Sequence, residues 1–439
     1  MTAVKLISGM AMLSVAALGL MGCEKEVILP GERLDPRAVL AGAAPAPAPL
    51  STALSLPRPQ ANAEWTHRAG NATHALTNPA FGAGMTLAWA APIGTGSDRK
   101  HRITAEPVIA GGRIFTLDAE ARVAATSTAG GALWSTDLTP PADRAGDASG
   151  GGLAVAGNRL YATTGFGELV ALDAATGAVI WRQKFDAAVG GAPTVSDGIV
   201  YVVARDASAW AIEAANGKVL WQLPGVNGAG AMTGVSAPAV NDRLVVFPFS
   251  SGEMIASLKA KGLTLWQGKV AGARIGRGYT SISDLTGDPV IVGERLYAGS
   301  SAGKLAAFDV NSGEKLWTAD VGPVSPVQVA GGAIWLVSDE NKLTRLDAAS
   351  GETVWSVDLP YFEAEKPKKY RTIFVHYGPL LAGGRLYTAS SDGLLRAFDP
   401  ATGAALGQVE IPGGAATEPV VAGGTLYVVS RTGQLLAFR

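Results

Sequence analysis

The sequence predicts an all-β protein: an eight-bladed β-propeller of four-stranded antiparallel blades, its last blade closed by an N-terminal strand. Three observations lead there. First, a unit recurs from Pro107 onward. Its Pro position and its Trp position lie 28 residues apart in six copies (153→181, 193→221, 238→266, 289→317, 327→355, 379→407) and 27 in the first (107→134). Second, the links between units vary in length, from 10 residues (317→327) to 24 (355→379). A rigid unit with elastic links is what stacked structural repeats produce. Third, the final copy, 419–439, stops after its third strand, and Met85-Thr-Leu-Ala-Trp89 carries the missing ending ahead of the first copy. Seven complete units and one composite give eight blades. Closure removes the two open sheet edges that would otherwise template aggregation. A seven-bladed ring, with 85–89 packed elsewhere, is the alternative.

Within a unit the apolar pattern has a period of two, as in half-buried strands. In the copy over 288–317, alternation through Leu296 and Tyr297 is broken by Ser300-Ser301-Ala302-Gly303. It resumes through Leu305 and Ala307 and is broken again at Asn311-Ser312-Gly313, before Leu316-Trp317. Three turns separate four strands of about five residues. The glycine of the middle turn recurs as Gly167, Gly303, Gly393 and Gly433, and in one unit it is Asn341. Asparagine is the residue next best able to take positive φ, so this position reads as a left-handed turn. Asp173, Asp309, Asp347 and Asp399 each precede a glycine by four residues, which suits side-chain capping of the outer turn. The tryptophans read as packing between neighbouring blades, where large rings bury much apolar area.

The N-terminus reads as an address. Residues 1–22 carry Lys5 and then a mostly apolar run too short to span a bilayer comfortably, as in a signal peptide. The run ends at Leu20-Met21-Gly22-Cys23, which resembles the bacterial lipobox and makes Cys23 the expected lipidation site. Acyl chains there would anchor the protein, at about 0.8 kcal/mol per buried methylene. Residues 23–64 contain Ala-Pro-Ala-Pro-Ala-Pro and read as a lipidated, extended tether. The propeller is then expected over 65–439.

Composition excludes several functions. With 36 Lys and Arg against 37 Asp and Glu, no basic excess exists to release counterions from a nucleic acid. Cys23 is the only cysteine, so no disulfide and no cysteine-based metal site is expected in the body. His67, His74, His101 and His376 show no metal-ligand spacing and read as surface or turn residues. The glycine-rich stretches at 94–100 and 228–230 match no GxxxxGK(S/T) pattern, and no helix signal follows them. No catalytic, cofactor or metal residue is assigned, and the chain is read as non-enzymatic.

The uneven links say more. Two hairpins of each unit, such as those at Gly111-Gly112 and 173–177, are short and uniform. Every blade-to-blade link falls on the opposite rim, with insertions at 135–152, 222–237, 267–288 and 356–378. Loops on a rigid scaffold are where binding concentrates. The 356–378 link mixes Tyr361, Phe362 and Tyr370 with Lys366, Lys368, Lys369 and Arg371, which suits a protein interface as well as a solvated loop.

The unit Leu-x-Ala-Phe/Leu-Asp-x-x-Thr/Ser-Gly-x-x-x-Trp resembles the repeat of pyrroloquinoline-quinone (PQQ) propellers. Eight such units behind a lipobox resemble the BamB family of outer-membrane protein assembly lipoproteins. The resemblance covers 20–439. It implies a non-enzymatic subunit of the β-barrel assembly (BAM) complex, anchored by lipid on the periplasmic face of the outer membrane. The partners it implies are the POTRA domains of BamA, other BAM subunits and unfolded outer-membrane proteins. It carries the BamA contacts to two neighbouring links. Met232 and Thr233, before Ser236-Ala-Pro238, depart from the Leu and Arg the family can carry there; Asp284 fits an acidic family position, and Asp288 follows in the same link. The alternatives are a PQQ-dependent dehydrogenase-like propeller and a propeller binding another envelope component.

Overall fold

A computed structural model describes residues 54–228, 237–270, 272 and 284–439, all within one compact unit, Leu50–Arg439. These residues form eight four-stranded antiparallel sheets. Each blade runs from an inner strand at the channel to an outer strand at the circumference. Blade 1 comprises Val108–Ala110, Arg113–Leu117, Arg122–Ser127 and Ala132–Asp137. Blades 2 to 7 repeat this order over 151–184, 194–224, 239–269, 287–319, 328–358 and 376–410. In blade 8, Val420–Ala422, Thr425–Val429 and Gln434–Phe438 are joined by an outer strand from the other end of the chain, Leu87–Pro92. Leu87 pairs with Phe438 and Ala90 with Leu436. Thr86 and Arg439 exchange backbone hydrogen bonds of 2.8 and 2.9 Å. The ring therefore closes through the segment the sequence marked for it.

The repeat residues hold neighbouring blades together. Seven tryptophans (Trp89, Trp134, Trp181, Trp221, Trp266, Trp317 and Trp355) each lie against the outer-turn glycine of the following blade. A Cβ on those glycines would stand 2.4–2.9 Å from the indole or an adjacent side-chain atom. The same glycines have φ between +65° and +90°. Glycine is required there twice, by backbone conformation and by close approach. Trp266 Nε1 also donates to Val310 O (2.9 Å), the carbonyl after the turn aspartate of the next blade. At the one unit where tryptophan is lost, Gly407, Met85 takes up the space: its Cε would lie 3.3 Å from a Cβ at Gly407.

The turn aspartates cap as expected. Asp309 Oδ1 accepts from the N–H groups of Asn311 (3.0 Å) and Ser312 (2.8 Å) and from the Ser312 hydroxyl (2.9 Å). Asp173, Asp347 and Asp399 make the same set. The middle turns carry positive φ at Gly167, Gly303, Gly393, Gly433 and Asn341. Blade-to-blade links and middle turns share one rim; inner and outer hairpins form the other.

The packed body begins earlier than residue 65. Leu54 and Leu56, in the expected tether, pack on the core between blades 6 and 7. From there the chain enters the channel and passes the inner strands in ring order. Asn62 O accepts from Gly423 N of blade 8 (2.7 Å), and Trp65 pairs with Ile109 of blade 1. Thr66 O accepts from Val155 of blade 2, and His67 Nε2 meets Val195 of blade 3. Ala72 O accepts from Val240 of blade 4 and Thr73 O from Ile291 of blade 5. Gln328 of blade 6 donates to Leu76 O, and Gly383 of blade 7 to Pro79 O. Residues 62–79 thus touch all eight blades from inside.

Candidate functional site

The channel interior centres on Arg68, carried into it by the 62–79 segment. Arg68 forms an ion pair with Asp288, and lies 3.6 Å from Glu106 Oε1 and 3.7 Å from Glu418 Oε1. The three acids occupy one position of the repeat, the residue before the Pro position, in blades 1, 5 and 8. The corresponding residues elsewhere are Gly152, Ala192, Ala237, Pro326 and Gly378. Small or apolar residues at five positions leave room for the guanidinium, and acids at three supply its counter-charge.

Burial opposes the charge on Arg68, but Asp288, Glu106 and Glu418 outweigh it and hold the guanidinium protonated. Three carboxylates share one cation, so burial raises all three pKa values. Glu418 is raised furthest, well above the usual carboxylate range, by burial and then by the neighbouring Glu106.

The histidines correct the surface reading. His67, His74 and His376 are buried. His74 Nδ1 donates to Pro289 O (2.8 Å), and His67 lies 3.0 Å from Val195 O. Burial holds His67 and His74 down at about 4, with His74 and Arg68 respectively adding to the effect, so both are neutral at pH 7. They act as channel struts. His101 remains near the surface, beside Asp98.

Above Arg68 the channel opens on the elaborated rim into a cavity of about 710 Å³. Its wall includes Arg102, Arg371, Arg431 and Tyr377, and the 356–378 link forms one side. That link folds back on itself: Phe362 pairs with Ile373, Phe374 N donates to Tyr361 O (2.9 Å), and Phe362 stacks on Tyr370 at 3.8 Å. His376 fastens its base, with Nε2 2.7 Å from Pro360 O and Nδ1 2.6 Å from Ser390 Oγ.

Of the expected site residues, Cys23, Met232 and Thr233 lie outside the described residues. Asp284 and Asp288 are each 1% exposed. Asp288 is paired with Arg68 inside the channel. Asp284 is likewise buried at the foot of its link. The structure does join the ends of the two expected contact links, since Ala237 N donates to Asp288 Oδ1 (3.1 Å). Among the described residues no cluster of His, Cys, Asp and Glu is arranged to hold a metal ion.

Fold and repeat together define a propeller of the PQQ-like class. The family model described as Outer membrane protein assembly factor BamB matches residues 119–357 and 363–439, and the chain belongs to that family. The outer membrane protein assembly factor BamB of Salmonella typhimurium is 30% identical over 256 residues, 57% of this chain and 65% of that protein. The chain spans 65% of the length of the first curated relatives it matches. Among solved structures, BamB from Moraxella catarrhalis superposes with a TM-score of 0.65 at 19% identity, covering 81% of this chain and 99% of that one. The quinohemoprotein alcohol dehydrogenase of Comamonas testosteroni gives 0.65 at 16% identity, covering 85% and 80%. At those identities the superpositions speak to fold alone.

Proposed function

We propose that the chain is a non-enzymatic, lipid-anchored scaffold subunit of the β-barrel assembly complex, working at the periplasmic face of the outer membrane. It docks on the POTRA domains of BamA and aids delivery of unfolded outer-membrane proteins. The observation that carries this reading is family membership over most of a ring that keeps its longer links on one rim. The links 222–237 and 267–288 are the proposed contact region, with Met232 and Thr233 meeting the partner. Asp288, through Arg68 and Ala237 N, holds the end of the second link in place.

Crosslinking in cells with the tagged full-length chain, followed by identification of partners, tests the reading. BamA among the crosslinked proteins is the expected result. Its consistent absence, with another envelope protein in its place, would overturn it. PQQ-dependent dye reduction by the purified protein would favour the dehydrogenase alternative.

A further inference from the structure

The mouth of the channel is built differently from its floor. At the floor, Glu106 and Glu418 are drawn to Arg68. At the mouth, Arg102, Arg371 and Arg431 line the cavity, and none of them forms an ion pair among the described residues. One carboxylate, Glu363, lies on the same wall, so the mouth carries a cationic excess. Tyr377 lines it too, under the field of Arg431 and Arg102. Burial pushes its hydroxyl up to about 12, so it stays protonated and able to donate. Beside these cations the folded-back link presents an apolar strip: Phe362, Tyr370, Ile373 and Val375 are 38–44% exposed. Stacked rings and a strand-like bridge hold that strip in place before any partner arrives. Pre-formed apolar surface next to convergent donors is the usual composition of a ligand site.

We propose that this mouth binds an extended acidic peptide segment, its carboxylates on Arg102, Arg431 and Tyr377 and an apolar side chain on the Phe362–Ile373 strip. Charge complementarity selects the acid. The volume of the cavity, about 710 Å³, and the adjacent strip select a peptide over a small anion. The inference does not rest on the proposed role in barrel assembly, and it uses a different link from the one placed against BamA.

The test is fluorescence anisotropy of the full-length protein with a labelled peptide of about ten alternating Glu and Phe residues, against its Gln counterpart. The acidic peptide is expected to bind more tightly by roughly tenfold or more, and to weaken as salt rises from about 50 to 300 mM. Arg102→Ala with Arg431→Ala is expected to remove that preference without changing the melting temperature, because both side chains are exposed. Tyr377→Phe provides a second variant and is expected to weaken the acidic peptide alone. Equal binding of the two peptides, or an unchanged preference in the double variant, would overturn the proposal. So would binding of phosphatidylglycerol vesicles in the absence of acidic-peptide binding, which would mark the mouth as a lipid-facing surface.

Discussion

Arg68 is the residue on which most of the channel depends. It neutralises carboxylates from blades 1, 5 and 8, and its removal leaves three buried acids facing one another. Arg68→Met is therefore expected to lower the unfolding free energy by about 3–5 kcal/mol, read by urea denaturation. The carboxylates give a second, signed expectation. Their folded-state pKa values are raised, so the stability they contribute is present at low pH and lost as pH rises through those values. Glu418→Gln relieves this, and its melting temperature should exceed that of the parent by more at pH 8 than at pH 5. None of this was legible in a single stretch of sequence, because Arg68 and Glu418 are separated by most of the chain. A faint signal existed: the residue before the Pro position is small or apolar in five blades and acidic in three. The turn aspartates, by contrast, were readable, since donor and acceptor lie within three residues of one another and recur in register.

At the scale of the element, two features carry the fold. One is the tryptophan on the outer-turn glycine of the next blade. Gly313→Ala combines a left-handed φ of +75° with a Cβ 2.6 Å from Trp266, and is expected to cost about 2–4 kcal/mol by denaturant unfolding. The spacing of Asp and Gly revealed the turn, but not that the glycine also clears room for the indole. The other feature is the 62–79 segment, whose path no periodicity could show. It is neither strand nor helix for most of its length, and its partners are the inner strands of every blade. Its histidines are neutral in the fold, at about 4, and would titrate near 6.5 when unfolded. Their contribution is therefore complete above about pH 6.5 and is lost as pH falls toward 4, by up to roughly 3 kcal/mol each. His67→Asn with His74→Asn should lower the melting temperature relative to the parent at pH 7, and by less at pH 4.5.

For the molecule as a whole, closure is the decisive event. The strand Leu87–Pro92 covers the edge of blade 8, and Met85 fills the seam where blade 7 has no tryptophan. A chain beginning at residue 93 lacks both the closing strand and the channel segment. It should elute from size exclusion as aggregate, because an unpaired sheet edge is a template for association. Ring closure was legible because the last repeat is visibly incomplete and its missing ending appears upstream. The asymmetry between rims was legible from link lengths, and the proposed binding face follows from it. The most direct test of that proposal is interferometry of the full-length protein on immobilised POTRA domains of BamA. Saturable binding is expected, weakened roughly tenfold or more by Met232→Glu with Thr233→Glu in the 222–237 link and unchanged by Asp242→Arg in a hairpin of the plain rim. No binding, or binding lost only with the plain-rim substitution, would contradict the account.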